Sequence, residues 1–280
     1  MRSSLPAVIK PAEALKFNQY ILIDARSGPG IIEKYKELHL KGAIHVDLDT
    51  DLSSITGNAA KGGRHPLPDI AAFSKLLSKL GITKESVVFI YDDKSGINAA
   101  SRFWWMLKNA GHANVSVIDG GMDAAIKAGF QLSTGEEKNN PAEPYPVTDW
   151  SHSKIPITEV EKVLSNPEYI IIDVREAKRY EGITEPIDKI AGHIPGAVNI
   201  PLSENLNADG TFKSSDELFE KYKNIIANRN PDHVIVHCGS GVTACHTLLA
   251  MEHAGIHGPK LFVGSWSEWS ESGRQVATGK

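Results

Sequence analysis

Cysteine is scarce in this chain: Cys238 and Cys245 are the two among 280 residues. Their spacing is neither a redox Cys-x-x-Cys nor a disulfide framework, so the fold is expected to rest on its core and to suit a reducing, cytoplasmic setting. Long apolar runs are lacking as well. Nothing approaches the roughly 18 residues of a membrane span, and no membrane association is expected. Charge of one sign is also in short supply, since 30 Lys and Arg against 34 Asp and Glu leave a net −4. That balance offers no footprint for nucleic acid or an anionic surface. His233, His246, His253 and His257 have no carboxylate or thiol at a spacing that completes a zinc set, so no metal is expected.

What the chain does have is repetition, the first thing to look for in a sequence of this length. Tyr20-Ile-Leu-Ile-Asp-Ala-Arg26 is answered by Tyr169-Ile-Ile-Ile-Asp-Val-Arg175, and His39-Leu-Lys-Gly-Ala-Ile44 by His193-Ile-Pro-Gly-Ala-Val198. Val87 to Asp93, followed by Gly96 and a helical stretch from Asn98 to Asn109, corresponds to Val234 to Cys238, Gly241 and a helix. On this alignment Asp93 stands where Cys238 stands. Gly111 to Gly120 parallels Gly255 to Gly264, and the four landmarks keep their order.

Within each copy, short Val/Ile-rich strands alternate with helical stretches such as Asp69 to Leu80 and Asp216 to Ile226. That pattern predicts an α/β fold, each half a mainly parallel sheet with helices on both faces. Gln131 to Lys154 is polar and carries Pro141, Pro144 and Pro146, the composition of a surface linker. The boundary is expected near residue 150, giving domains over 1–150 and 151–280.

Val234-Ile-Val-His-Cys-Gly-Ser-Gly-Val-Thr-Ala-Cys245 carries the chemistry. An apolar strand ends at Cys238, and apolar residues at Ala244, Leu248, Leu249, Met251 and Ala254 predict a helix after it. A cysteine between strand end and helix start meets unpaired backbone N–H groups and the positive end of a helix dipole, both of which favour a thiolate. Cys238 is therefore the expected nucleophile. Gly239 and Gly241 are expected to curl the backbone with φ > 0, so that the amides from Gly239 through Ser240, Gly241, Val242 and Thr243 converge as an anion nest. Cys245, among small helical residues, is expected to be a buried hydrophobe.

Asp-x-Arg at a strand end, Gly192-His-Ile-Pro-Gly-Ala197, and Cys238-Gly-Ser-Gly-Val-Thr243 before a helix together resemble the rhodanese superfamily. The resemblance covers both halves and implies tandem rhodanese-like domains, the first non-catalytic and the second carrying the thiol. It also resembles the superfamily's thiosulfate and 3-mercaptopyruvate sulfurtransferases, in which a cysteine takes up sulfane sulfur as a persulfide without a cofactor. The acceptor is then cyanide or a thiol of the thioredoxin or glutathione kind. The neutral Gly239 and Ser240 favour 3-mercaptopyruvate as donor over thiosulfate. The resemblance implies His65, in Gly63-Arg-His-Pro-Leu-Pro68, as a partner for Ser240 in relaying a proton to the leaving group. It implies Arg179 as one of two arginines for the donor carboxylate. The second is missing from Glu185-Pro-Ile-Asp-Lys189, where Lys189 offers only a point charge. Trp266 is expected to flank the substrate and Trp269 to pack in the core. Asp24 with Arg26, and Asp173 with Arg175, recur in both halves and are expected to be structural pairs.

Three rival readings are weaker. Gly239-Ser-Gly-Val-Thr-Ala244 matches a dinucleotide fingerprint formally, but no acidic residue follows at the distance that would hold a ribose. His237-Cys238 suits a His-Cys-x5-Arg phosphatase until the arginine position is reached, which is Ala244. A binding module without turnover would suit the half that carries Asp93, but not the one with an intact Cys238 loop.

Overall fold

The computed structural model describes residues 5–150 and 153–279, and the expected boundary near residue 150 abuts two residues outside that range. The chain divides into two compact units. The first comprises Met1–Leu52, Pro68–Ser151 and Asn207–Phe212; the second comprises Ser53–Leu67, His152–Leu206 and Lys213–Lys280.

In the first unit the strands are β1 Val8–Ile9, β2 Ile21–Asp24, β3 His39–Leu40, β4 Ala43–His45, β5 Val88–Tyr91, β6 Val115–Ile118 and β7 Leu132–Ser133. The helices are α1 Pro11–Ala14, α2 Ile31–Glu37, α3 Ile70–Lys79, α4 Ala99–Asn109 and α5 Gly121–Ala128. Five strands form a parallel sheet in the order β1-β6-β5-β2-β4. The central β5 is buried along its length, which is why it reads as an unbroken apolar run. Helix α3 begins where the Asp69 carboxylate accepts the Ala71 N–H at 2.8 Å, and buries Phe73 and Leu77.

The polar stretch after Gln131 is more than a linker. Its start forms β7, antiparallel to β3, and Tyr145 and Trp150 are buried. The Tyr145 carbonyl accepts from Ser74 Oγ at 2.6 Å and the Trp150 indole donates to Pro68 O at 3.2 Å. Prolines set the backbone of this segment, but two aromatic anchors fasten it to the unit.

The second unit contains β8 Ile170–Asp173, β9 Val198–Asn199, β10 Val234–His237 and β11 Lys260–Leu261. Its helices are α6 Ile157–Val163, α7 Ala177–Tyr180, α8 Ser215–Ile226, α9 Ala244–His253 and α10 Ser265–Glu271. The four-stranded sheet, ordered β11-β10-β8-β9, is again parallel. A capping box starts α8: Ser214 Oγ accepts from Glu217 N–H at 3.3 Å while the Glu217 carboxylate accepts from Ser214 N–H at 3.0 Å. Val160, Ile171, Ile235, Phe262, Trp266 and Trp269 build its core.

Both Asp-x-Arg motifs are buried ion pairs closing a strand end, as expected. Arg26 Nη2 donates to Asp24 at 2.7 Å and to Leu38 O at 2.8 Å. Arg175 Nη2 likewise donates to Asp173 at 2.6 Å and to Gly192 O at 2.7 Å.

Candidate active site

Cys238 leaves β10 directly after His237, which is in register with Asp173 on β8. The thiol residue is 1% exposed. Its N–H donates to Ser265 Oγ at 3.2 Å, its carbonyl accepts from Trp266 N–H at 3.0 Å, and the Gly239 carbonyl accepts from Ser267 N–H at 2.9 Å. The turn is thereby stitched to the start of α10. Ser265 adopts φ +53°, a region that costs a non-glycine residue about 1–3 kcal/mol. Its hydroxyl also donates to Phe262 O at 2.8 Å, a second tie that holds it there.

The two glycines of the turn differ. Gly241 has φ +74°, and a Cβ on it would lie 2.1 Å from Val263 O. Gly239, contrary to expectation, has no positive φ. It is required for space: a Cβ there would meet Arg64 Nη2 at 2.9 Å and the two Nη atoms of Arg179 at 3.6 and 3.8 Å. Among the described residues, the N–H groups of Ser240, Val242 and Thr243 meet no protein acceptor, leaving donors for an anion.

His65 and Ser240 do meet, with Nδ1 and Oγ 2.8 Å apart. The segment bearing His65 is pinned within the second unit. Gly62 N–H donates to Glu268 at 2.9 Å, Arg64 N–H to Ser267 Oγ at 3.1 Å, and a Cβ on Gly63 would lie 2.4 Å from Gly264 O.

Arg179 reaches the turn, and so does Arg64, which the sequence did not single out. Glu185 accepts from Arg179 Nη2 at 2.7 Å; Asp188 accepts from Arg179 Nη2 at 3.3 Å and from Arg64 Nε at 2.9 Å. Burial pushes the Glu185 carboxyl up, but the hydrogen bonds from Arg179 and from the Asp188 and Ile187 N–H groups outweigh it, and its pKa lies below the usual value. Lys189 points elsewhere, exposed and paired with Glu271. The guanidinium missing from the Glu185 to Lys189 stretch is thus matched by one from 124 residues earlier, and the signal that would have found it is the residue before His65.

Trp266 does not flank the turn. It is fully buried in the core, its indole donating to Ile190 O at 2.9 Å and its ring beneath the Arg175 guanidinium at 4.7 Å. Only its backbone N–H serves the cysteine. Cys245 is buried on α9 with its thiol 3.4 Å from Gly241 O, and Trp269 is core.

The residue matching Cys238 in the first unit is Asp92, one before the expected Asp93. Tyr91 is in register with Asp24 as His237 is with Asp173. Matching Gly96 to Gly241 places Asp93 opposite Cys238. The first loop is one residue longer between strand and glycine, which shifts the match by one.

A model of the rhodanese-like domain matches residues 10–128 and 157–272. A Pseudomonas aeruginosa protein named probable 3-mercaptopyruvate sulfurtransferase is 40% identical over 88% of this chain and 86% of its own length. Thiosulfate sulfurtransferase of Gallus gallus is 32% identical over 85% of this chain and 80% of its own length. The solved 3-mercaptopyruvate sulfurtransferase of Leishmania major superposes with a TM-score of 0.82 at 32% identity, covering 95% of this chain and 74% of that one. A parallel sheet ending in a cysteine loop, once intact and once with aspartate, and matches spanning both halves make this chain a member of the rhodanese family with two rhodanese-like domains in tandem.

Proposed function

We propose that the chain is a sulfurtransferase that moves sulfane sulfur from 3-mercaptopyruvate through a persulfide on Cys238 to a thiol or cyanide, with the second rhodanese-like domain as the catalytic one. The observation that carries the reading is the convergence on one turn of a thiol, unpartnered backbone donors, the Ser240–His65 pair and the Arg179 guanidinium.

In the first half-reaction the Cys238 thiolate attacks the donor's sulfur. A sulfur–sulfur bond forms, the donor's carbon–sulfur bond breaks, and the bonding pair leaves as the enolate of pyruvate. The proton from the donor thiol, now on the persulfide, passes to the enolate with Ser240 and His65 as relay, giving pyruvate and a persulfide anion. The loop N–H groups favour that anion. In the second half, an acceptor thiolate or cyanide attacks the outer sulfur and the Cys238 thiolate returns. Burial of the cysteine holds the persulfide from stray reductants between the halves.

Arg179 holds the donor carboxylate. No cofactor enters the scheme. Among the described residues no helix is long and apolar enough to cross a membrane; we place the enzyme in the cytoplasm, where a free thiol nucleophile stays reduced.

Thiosulfate as donor is the second reading, favoured by the relative bearing that name. The two are separated by kcat/KM for both donors on one preparation. The neutral Gly239 and Ser240 predict preference for 3-mercaptopyruvate; preference for thiosulfate would sink their reading as donor selectors.

A further inference from the structure

Six side chains of the second unit alternate in charge from the sheet to the turn: Asp173, Arg175, Glu185, Arg179, Asp188 and Arg64. Arg175 joins Asp173 at 2.6 Å and Glu185 at 3.3 Å; Arg179 joins Glu185 at 2.7 Å and Asp188 at 3.3 Å; Arg64 joins Asp188 at 2.9 Å. Exposure of the arginine side chains rises along the series from 1% at Arg175 to 16% at Arg179 and 29% at Arg64. The buried end anchors the series and the open end carries two guanidinium groups beside Gly239, the residue after the nucleophile.

From this geometry we infer that Arg64 is a donor-binding residue and that Arg64 and Arg179 together form a fork for the carboxylate of an α-keto acid monoanion. The inference rests on the sulfurtransferase reading. Asp188 engages Arg64 through Nε and Nη2, and Glu185 engages Arg179 through the same pair of atoms. Among the described residues Nη1 of each carries no hydrogen bond. The acids therefore fix both planes by their far edges and leave donors directed away from them, as planar carboxylate recognition needs.

Three arginines against three carboxylates leave the series without net charge. A dianion gains no broad Coulombic attraction from it, whereas a single carboxylate gains directional hydrogen bonds. Arg64 also lines a cavity of about 330 Å³ with Asn58, Ile187, Asp188 and Lys189, which gives the group an open approach within the second unit. Gly239 fits the same account, since any side chain there would occupy the place of the Arg64 guanidinium.

The test compares wild type, Arg64→Met and Arg64→Lys in two measurements. Pyruvate binding to each in a Cys238→Ser background, by calorimetry, reads the carboxylate site without chemistry. Steady-state kinetics with 3-mercaptopyruvate and thiosulfate read the donors. Loss of a charge-assisted pair of hydrogen bonds predicts pyruvate affinity lower, and KM for 3-mercaptopyruvate higher, by about ten- to a hundred-fold in Arg64→Met, with kcat and the thiosulfate KM little changed. Arg64→Lys, keeping charge without the fork, should recover only part of the loss. Unchanged pyruvate affinity in a folded Arg64→Met protein, or full recovery by lysine, would overturn the inference. If wild type binds pyruvate through Arg64 yet turns over neither donor, the sulfurtransferase reading falls and the carboxylate site stands.

Discussion

Asp92 and Cys238 hold the same place in the two units. Each follows the strand residue in register with the aspartate of an Asp-x-Arg pair, and each accepts a backbone N–H through its carbonyl, from Met122 at 2.9 Å and Trp266 at 3.0 Å. The Asp92 carboxylate accepts from the N–H groups of Lys94, Gly96 and Asn98 at 2.9, 2.8 and 3.3 Å. One copy of the turn thus has loop N–H groups taken up by a side chain of its own, a carboxyl whose pKa burial pushes up, and the other presents its free donors beside a thiol. Asp92→Ala would strip three loop N–H groups of their acceptor at a cost of about 1–3 kcal/mol or more. Denaturant unfolding should show that loss, while sulfur transfer at Cys238, assayed below the transition, keeps its kcat.

The two glycines of the cysteine turn should respond differently to the same change. In Gly241→Ala the new Cβ meets a backbone carbonyl at 2.1 Å, and a left-handed φ adds about 1–3 kcal/mol. A lowered melting temperature and lost activity are expected together. Gly239→Ala displaces only the end of a flexible arginine; its melting temperature should stay near wild type while KM for the carboxylate donor rises.

Ser240 and His65 act as one relay in this account. Ser240→Ala and His65→Gln should each lower kcat for 3-mercaptopyruvate by about a hundred-fold, a modest general acid–base contribution. The double variant should be no worse than either single one, as befits groups that work as a unit. Multiplying losses would show two independent roles.

His237 lies fully buried before the nucleophile, Nδ1 3.2 Å from the Cys238 carbonyl and Nε2 3.7 Å from Asp173. Burial lowers its pKa below the ordinary 6.5, against the opposing pull of Asp173. The unfolded chain therefore binds the proton first as pH falls, so this histidine contributes stability above about pH 6.5 that is lost on acidification through its folded pKa. His237→Gln should flatten the fall in melting temperature between pH 7.5 and 5.5, provided its neutral side chain keeps the packing. An equally steep fall in both proteins would place the effect elsewhere.

Features written in local sequence were legible. The duplicated Asp-x-Arg strands, the helical stretches from Asp69, Asn98 and Asp216 and the Cys238 turn follow from repetition, periodicity and glycine placement. What escaped depends on distance or on geometry finer than residue type. Arg64 meets Arg179 only through folding, so no stretch of sequence joins them. Glycine reads alike whether it serves a positive φ, as Gly241 does, or makes room, as Gly239 does. Trp266 follows a strand near the cysteine, yet its ring turns into the core and leaves only its N–H to the site. The Asp92 match was hidden by one extra loop residue, which only strand register resolves.

The covalent intermediate is tested most directly by mass. Incubation with 3-mercaptopyruvate and no acceptor, followed by proteolysis under non-reducing conditions, should add about 32 Da, one sulfur atom, to the peptide at Cys238 and remove it on adding cyanide. An unmodified Cys238 in a protein that turns over the donor, or the added mass at Cys245, would contradict the account.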